Sequence, residues 1–307
     1  MTKDYQSKHF TLEKVRDGIY GAIAKDGGGA VGNAGFIDLG DQTIIFDTFN
    51  TPQAALDLKN MAEELTNRPI TWVVNSHYHG DHIRGNQVFS SSHILASETT
   101  FTEMKENHPA RIEKQKLDLA GLEGHIKKLK QQYEETKDQE LKFEISFLEE
   151  IAISLPGLQL TLPQYTFEES FTIYGSKRTA KIYTMGGAHS YCDSFLYIPE
   201  DRVIFTGDLL VIDTHPALFE ESDVDNWLRI LNQFDTWDID AAIPGHGPVG
   251  SKSDFHLISQ YLEDIREIAG NTESIESIEI PLAYRHWSFS SLFRNNVQNL
   301  KKLIKTN

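Results

Sequence analysis

Residues 10–48 alternate between apolar and polar positions, with glycines between the alternating runs. A period of two is typical of strands that bury one face. The pattern therefore predicts successive strands of one sheet in FTLEKV, GIYGAIA, AGFIDLG and TIIFDT. A helix is predicted next, from Pro52 to about Leu65, because its apolar residues fall on one face. Thr51 before Pro52 is typical of a helix start, with a capping side chain followed by proline.

Most of the remaining chain alternates between short apolar runs and helical patterns. Such alternation indicates an α/β fold built from layers of strands and helices. Further strands are predicted in ITWVVNS (70–76), HILAS (93–97), LQLTLP, FTIYG, AKIYTMG, SFLYIP, RVIFTG and DAAIPG (240–245). Further helices are predicted near residues 223–234, 254–269 and 288–304.

Residues 103–155 differ from their surroundings, since they are rich in Glu, Lys and Gln and poor in β-branched residues. Apolar residues recur there at near-heptad spacing on both sides of a polar break at 134–140. We interpret the segment as an antiparallel helical hairpin inserted into the α/β body. The hairpin would pack over the sheet, form a dimer surface, or act as a lid or wall over an active site. Its apolar positions are Ile112, Leu119, Leu122, Ile126, Leu129, Tyr133, Leu141, Ile145, Leu148, Ile151 and Leu155.

Length and composition fit a single domain over residues 1–307, because 39% of the residues are apolar and 24% are charged. We expect a cytoplasmic protein, since no transmembrane run or signal peptide is recognisable and Cys192 is the one cysteine. Acidic residues outnumber basic ones by 45 to 29, a formal charge of −16, which repels nucleic acid and anionic membranes. Neither nucleic acid nor a membrane is therefore expected as a partner, and the apolar stripe of the hairpin could serve as a homodimer surface.

The segment HYHGDH carries the strongest chemical signal in the chain. It places His77, His79, Asp81 and His82 within six residues, directly after an apolar strand. Imidazole and carboxylate suit zinc and other borderline divalent metals. Six residues cannot easily bring all four side chains onto one tetrahedral ion. The alternation instead suggests two ions about 3.5–4 Å apart, with His77 and His79 on one and Asp81 and His82 on the other.

Three later residues are candidates for the remaining ligands. His189 follows the strand AKIYTMG, Asp208 follows RVIFTG, and His246 follows DAAIPG. Each comes just after an apolar strand and beside glycine, which lets the backbone turn sharply. Ends of neighbouring strands converge on one edge of an open sheet, where ligand sites form. The seven residues together predict one metal site.

These motifs in this order resemble the metallo-β-lactamase superfamily. The resemblance covers the chain from about residue 15 to about residue 250, with the 103–155 insertion and the C-terminal helices outside it. It implies an α/β fold of the αββα sandwich type with an inserted helical hairpin. Asp47 in IIFDT matches an aspartate of the family that supports the site. The matching motifs are HxHxDH at 77–82, GGAHS at 186–190, TGD at 206–208 and PGHG at 244–247.

Carried over residue by residue, the resemblance implies two metal ions bridged by Asp208. His77, His79 and His189 would hold the first ion, and Asp81, His82 and His246 the second. The expected ions are zinc, with iron or manganese as alternatives. A hydroxide bridging two such ions is available near neutral pH and can attack a carbonyl or phosphoryl centre. Asp81 is the candidate catalytic residue, since it could orient this nucleophile and accept a proton.

Departures within the family narrow the expected reaction. Members that cleave β-lactams usually have cysteine or serine where this chain has Asp208, which favours a pattern similar to that of glyoxalase II-like enzymes. We therefore expect a binuclear zinc hydrolase acting on a small-molecule ester, thioester or lactone. Two alternatives stay open, a mononuclear iron oxidoreductase similar to persulfide dioxygenases and a β-lactam hydrolase. His79 and the lack of a flavodoxin-like domain disfavour the flavo-diiron branch.

Other polar residues near the motifs have weaker signals. His215 could line the pocket and contact substrate, or be an exposed loop histidine. Tyr78 and Tyr191 flank ligands and could hydrogen-bond to substrate, although packing is the simpler interpretation. Ser190 and Asp193 are expected to support His189. Cys192 is expected to be a buried structural thiol. The other histidines lack ligand spacing and are given no role.

Overall fold

The computed structural model describes residues 6–306, with side chains described up to residue 302. The chain forms two compact units. Unit 1 runs up to Glu168 and includes Tyr174–Arg178, and unit 2 comprises Glu169–Ile173 and the chain from Thr179 onward. The described part contains two sheets and eight helices, so the predicted mixed α/β class is confirmed. The single domain over 1–307 stays a prediction.

Unit 1 is built on a seven-stranded sheet in which the strands follow their order in the chain. The first four strands are antiparallel neighbours, and the pairs from β4 to β7 are parallel. A parallel neighbour needs a crossover connection, and helices supply it. The strands are β1 Phe10–Arg16, β2 Ile19–Ala24, β3 Ala34–Asp38, β4 Thr43–Phe46, β5 Trp72–Val74, β6 His93–Ser97 and β7 Tyr165–Phe167.

Helix α1, Pro52–Thr66, is the crossover between β4 and β5 and begins where the sequence predicted. The Thr51 side chain accepts a hydrogen bond from the Ala54 amide, and Pro52 occupies the first turn. The buried face of α1 packs on the apolar side of the sheet. Its residues Ala54, Ala55, Leu58, Met61 and Ala62 belong to one core cluster with Phe36, Ile45 and Val73.

The predicted hairpin consists of three helices, α3 Glu98–Leu117, α4 Leu119–Thr136 and α5 Gln139–Ser154. We expected one continuous first arm, but Asp118 divides it, with φ −95° and ψ 18°. Aspartate is a poor residue in a helix interior because its side chain competes for backbone hydrogen bonds. Helices α4 and α5 pack as the expected antiparallel pair, linked by an ion pair of 2.7 Å between Lys130 and Glu149. All the predicted apolar positions lie in two small core clusters of this insert.

Unit 2 is built on a five-stranded sheet in the order β12-β11-β10-β9-β8. Its strands are β8 Ser170–Tyr174, β9 Thr179–Thr184, β10 Ser194–Ile198, β11 Val203–Phe205 and β12 Ala241–Ile243. Its helices are α6 Val224–Phe234, α7 Lys252–Asn271 and α8 Ser291–Thr306. Asp223 caps α6 by accepting a hydrogen bond from the Asn226 amide. An aromatic-rich core that includes Trp227, Phe234 and Tyr261 joins these helices to the sheet.

One strand prediction is wrong. The segment LQLTLP, residues 158–163, is extended but joins no sheet, and β7 begins later, at Tyr165. Pro163 has no amide hydrogen to donate to a neighbouring strand, so pairing begins only after it. The next residue, Gln164, donates its amide to the Ile94 carbonyl at 3.0 Å.

None of the helices within residues 6–306 is both long enough and apolar enough to cross a membrane.

Candidate metal centre

The four predicted ligands of unit 1 lie on one loop and one short helix. Strand β5 ends at Val74, and helix α2, Gly80–Ile83, begins directly after His79. The ring centroid of His77 is 4.6 Å from that of His79 and 4.4 Å from that of His82. Asp81 Oδ2 is 3.6 Å from His82 Nε2. The tight turn into α2 therefore gathers three imidazoles and a carboxylate.

Asp47 supports two of these histidines from the end of β4. Its carboxylate accepts hydrogen bonds of 2.7 Å from both the amide and the hydroxyl of Ser76, and its Oδ2 is 2.9 Å from His82 Nδ1. Ser76 Oγ is in turn 2.9 Å from His77 Nδ1. Because Nδ1 of both rings is engaged, Nε2 is the nitrogen through which each would bind a metal. These are the contacts that the supporting role expected for Asp47 requires.

The backbone and the environment of Asp47 are also unusual. Its φ is 58°, a left-handed conformation that residues other than glycine rarely adopt. Complete burial raises the pKa of its carboxyl, while the neighbouring His82 and the Ser76 hydrogen bonds oppose that rise. The strained turn points the carboxylate at the histidine loop.

A second buried network fixes the far side of α2. Asn75 and Asn86 exchange amide hydrogen bonds of 3.1 and 2.8 Å, and the Thr48 hydroxyl donates to Asn86 Oδ1 at 2.9 Å. The Thr48 amide donates to the carbonyl oxygen of His82 at 2.8 Å. The Asn75 side chain also donates to this carbonyl, at 3.4 Å, so Thr48 and Asn75 hold the backbone of His82 while Asp47 holds its ring.

His108, to which the sequence assigned no role, also holds the loop. It lies on α3, fully buried, with Nε2 2.6 Å from the carbonyl oxygen of Tyr78. A carbonyl only accepts, so Nε2 carries the proton. Burial lowers the pKa of His108 to about 4, which keeps the ring neutral. The insert is thereby tied to the backbone between His77 and His79.

In unit 2, Asp208 lies next to both predicted histidine ligands. Its Oδ2 is 3.2 Å from His189 Nε2 and 3.4 Å from His246 Nε2. Asp208 follows β11, and His246 follows β12, which is parallel to β11. A Cβ at Gly245 would collide with the Asp208 carboxylate, and the Gly245 amide donates to the Gly207 carbonyl at 2.8 Å. Glycine at this position lets the two loops approach closely.

The loop that carries His189 is held by Asp193. This carboxylate accepts hydrogen bonds from the amides of Ala188 and Ser190, both 2.8 Å, and from the Ser190 hydroxyl at 2.9 Å. Helix α6 fastens the loop from the other side, since Asn226 donates to the Gly187 carbonyl at 2.7 Å. The next residue, Trp227, donates its indole N–H to the carbonyl of Leu209 beside Asp208.

The other candidate residues near the ligands differ in their burial. His215 is 2% exposed and packs against Tyr261 and Trp287, so the alternative of an exposed loop histidine is wrong. Tyr78 is buried with its ring 4.7 Å from that of His79, whereas Tyr191 is exposed. Cys192 is buried, as expected. Contacts of these side chains with a substrate stay predictions.

A cavity of about 610 Å³ lies within unit 1. Asp81 and Asn50 line it on one side, and the insert lines it on the other. Arg84, one residue after α2, also lines the cavity and is 9% exposed. Sequence patterns did not single out Arg84, because its burial depends on the packing of α3 over α2.

The donor atoms fit divalent metal ions. Unit 1 offers three imidazoles and a carboxylate from one loop, and unit 2 offers two imidazoles around one carboxylate. Neutral imidazole and carboxylate oxygen are the ligands of catalytic zinc and related ions. Histidine ligands are typically oriented by a carboxylate or hydroxyl on the other ring nitrogen, as Asp47 and Ser76 provide here.

Comparisons with known proteins bear on the family. A family model described as the metallo-beta-lactamase superfamily matches residues 27–246. No curated protein matches the chain. Among solved structures, a metallo-beta-lactamase from Pontibacter korlensis is similar, with a TM-score of 0.61 and 15% identity, over 83% of this chain and 100% of that one.

Two further solved structures are similar to this chain. The DIM-1 metallo-beta-lactamase has a TM-score of 0.59 and 16% identity, over 84% of this chain and 99% of that one. The FIM-1 metallo-beta-lactamase from Pseudomonas aeruginosa, in a mono-zinc form, has a TM-score of 0.60 and 16% identity, over 85% of this chain and 98% of that one. Likeness at this identity establishes the fold, and the family match covers more than half of the sequence. The chain therefore belongs to the metallo-beta-lactamase superfamily.

Proposed function

We propose that this protein is a metal-dependent hydrolase with two divalent ions, zinc first among them. His77, His79 and His189 would hold one ion, Asp81, His82 and His246 the other, and Asp208 would bridge them. One observation carries the proposal. Asp208 Oδ2 lies 3.2 and 3.4 Å from a ligand nitrogen of each predicted triad, His189 and His246, as a bridging carboxylate requires.

The chemistry follows from this donor set. Two such ions would lower the pKa of a shared water toward neutrality and polarise the carbonyl oxygen of a substrate. Asp81 is partly exposed and lines the cavity, so its carboxylate can hold a water and accept its proton. Water supplies a hydroxyl to the acyl carbon, the acyl C–O or C–S bond breaks, and the leaving alcohol or thiol takes the remaining proton.

The proposed substrates are small-molecule esters, thioesters or lactones. A cavity of about 610 Å³ within unit 1 suits a molecule of this kind. The aspartate at position 208 favours these acyl substrates over β-lactams, following the family pattern described above. The alternatives are a β-lactam hydrolase and a mononuclear iron oxidoreductase, and both are outcomes of the test.

The test combines metal analysis with a substrate panel. Purified protein should contain about two zinc ions per chain and hydrolyse members of a panel of esters, thioesters and lactones. One iron per chain with oxygen consumption would favour the oxidoreductase. Turnover confined to β-lactams would favour the β-lactam hydrolase. Metal-free protein, or protein whose zinc does not affect hydrolysis, would contradict the proposal.

A further inference from the structure

The cavity in unit 1 has two chemically different parts. Much of its insert side is apolar, with Gln115, Asp118 and His125 as the polar members, whereas its other side carries Asp81, Asn50 and the guanidinium of Arg84. The apolar wall consists of Leu122 on α4, Phe147, Leu148 and Ile151 on α5, and Leu155. A mostly apolar wall with a few converging polar groups is typical of a small-molecule site.

Arg84 is the least expected of the polar groups. Its side chain is more than nine-tenths buried, yet among the described residues its one hydrogen bond partner is the neutral Gln115, at 2.8 Å from Nη2. Its buried Nε has no hydrogen bond partner within the described part of the chain. Arg111 on α3 adds positive charge nearby. A buried cation is costly unless an anion pairs with it.

The local sequence makes room for this guanidinium. A Cβ at Gly80 would lie 2.8 Å from Arg84 Nε, so a side chain at residue 80 would displace it. Among the described residues, Asp81 is the carboxylate whose charge favours the Arg84 cation. In the proposed function the charge of Asp81 is directed to a metal ion, so Arg84 loses this counter-charge, and Asp118, the other carboxylate of the cavity lining, lies on the insert side. A planar, forked guanidinium matches the two oxygens of a carboxylate or phosphate.

We propose that this cavity binds an amphipathic anion, with its carboxylate or phosphate on Arg84 and its hydrocarbon chain against the apolar wall of the insert. Insofar as Asp81 holds a metal ion, this assignment rests on the proposed function. The substrate class then narrows to acyl esters, thioesters or lactones that carry an anionic group close to the scissile bond and a hydrocarbon part beyond it. Phe147 and Leu148 select for chain length, and Arg84 selects for charge.

Calorimetric measurement of ligand binding to the purified protein tests the proposed anion site without relying on turnover. The probes are decanoate, decyl phosphate, butanoate and the neutral decanol. Decanoate or decyl phosphate should bind at least about tenfold more tightly than decanol, since charge-assisted hydrogen bonds are the strong ones. Each added methylene from butanoate upward should raise affinity about threefold to fourfold. Comparison of the two ten-carbon anions decides between carboxylate and phosphate.

Matched variants test separately the contact of the anionic group with Arg84 and the contact of the hydrocarbon chain with Phe147. Arg84→Gln should lower affinity for the ten-carbon anion at least about tenfold, while Lys127→Gln, an equal change of charge at an exposed position of α4 outside the cavity lining, should stay within about twofold. Phe147→Ala should weaken the binding of decanoate and leave the binding of butanoate unchanged. Ile153→Ala, on the same helix but 67% exposed, should change neither.

Equal binding of decanoate and decanol to the unmodified protein would overturn the proposal, even if Arg84→Gln failed to fold. So would an Arg84→Gln protein that folds and binds the anions normally. The proposed function fails separately: anion binding without any hydrolysis would leave the cavity assignment standing, and hydrolysis with no preference for anionic substrates would refute the cavity assignment alone.

Discussion

The two units present their candidate ligands in different ways. Unit 1 carries four of them within six residues, and buried polar side chains, above all Asp47, hold the loop. Unit 2 carries three of them on three separate loops, each following a different strand, with Asp208 within 3.4 Å of the other two. A loop held by one network should lose several ligands together when that network is broken. Separate loops should lose ligands singly, unless Asp208 itself is changed.

Removal of Asp208 is the change from which we expect the largest effect. Asp208→Ala takes the proposed bridging oxygen from both triads, so metal content should fall and hydrolysis of generic esters should be abolished. The loss should exceed the factor of about 10–100 typical for residues that only support ligands. Metal analysis and ester hydrolysis measure both effects. Asp225→Ala, an exposed carboxylate of the same unit, is the control and should leave both unchanged.

A comparison of Asp47→Asn with Asp193→Asn tests the difference between the two units directly. Asp47 contacts Ser76 and His82 and through Ser76 reaches His77, whereas Asp193 orders the loop of His189 alone. Asp47→Asn should therefore lower metal affinity by about 10–100-fold. Asp193→Asn should have a smaller effect.

The readout for this pair is zinc affinity, measured by competition with a chromogenic chelator. Equal losses of zinc affinity in the two variants would show that the buried network around Asp47 contributes no more to metal binding than Asp193 does in unit 2. A larger loss in Asp193→Asn would reverse the comparison.

Local sequence determines much of this site, and packing determines the rest. The cluster from His77 to His82 was predictable because its members are contiguous, and the strand-plus-glycine pattern pointed to His189, Asp208 and His246. The extent of α1 was predictable from its proline and capping threonine. The break at Asp118 was missed, because the apolar spacing continues across it.

Residues that gain their role through tertiary packing were missed altogether. His108 lies near the loop, and Arg84 is buried, only because α3 packs over the loop, and no spacing rule reveals that packing. His215 was wrongly allowed an exposed position for the same reason, since α7 and the segment around Trp287 cover it. The burial of a loop residue depends on elements distant in sequence, which a local pattern does not contain.

Gly245→Ala should have an intermediate effect on unit 2. The new methyl group would press on the Asp208 carboxylate and would lie 2.7 Å from the Gly207 carbonyl carbon. We expect about 1–3 kcal/mol of lost unfolding free energy, together with reduced metal content. Urea unfolding and metal analysis measure these.

The matched control for this glycine is Gly270→Ala on α7. A Cβ there meets nothing within 4 Å, and alanine favours a helix. This variant should be neutral or more stable by about 0.5–1 kcal/mol. If Gly245→Ala behaved like Gly270→Ala, the close approach of the two loops in unit 2 would not matter for the Asp208 position.

The smallest expected effect concerns the pH dependence of unit 2, through His215. Burial lowers the pKa of this imidazole from 6.5 to about 4. Below pH 6.5 the unfolded chain binds a proton at His215, whereas the folded ring stays neutral until about pH 4. The stability conferred by the neutral ring is therefore lost as the pH falls through this window. Between pH 7 and pH 6 the loss amounts to less than about 1 kcal/mol. Urea unfolding of chelator-treated protein at pH 7, 6 and 5 measures it.

His215→Phe should flatten this pH dependence, because phenylalanine keeps the ring packing against Tyr261 and Trp287 but binds no proton. His256→Phe, at a 63% exposed side chain, is the control and should keep the slope of the unmodified protein. An unchanged slope in His215→Phe would mean that the ring titrates in the fold much as it does in the unfolded chain. The aromatic core of unit 2 would then be open to water at His215, and the contrast with the polar network that buries His82 in unit 1 would be lost.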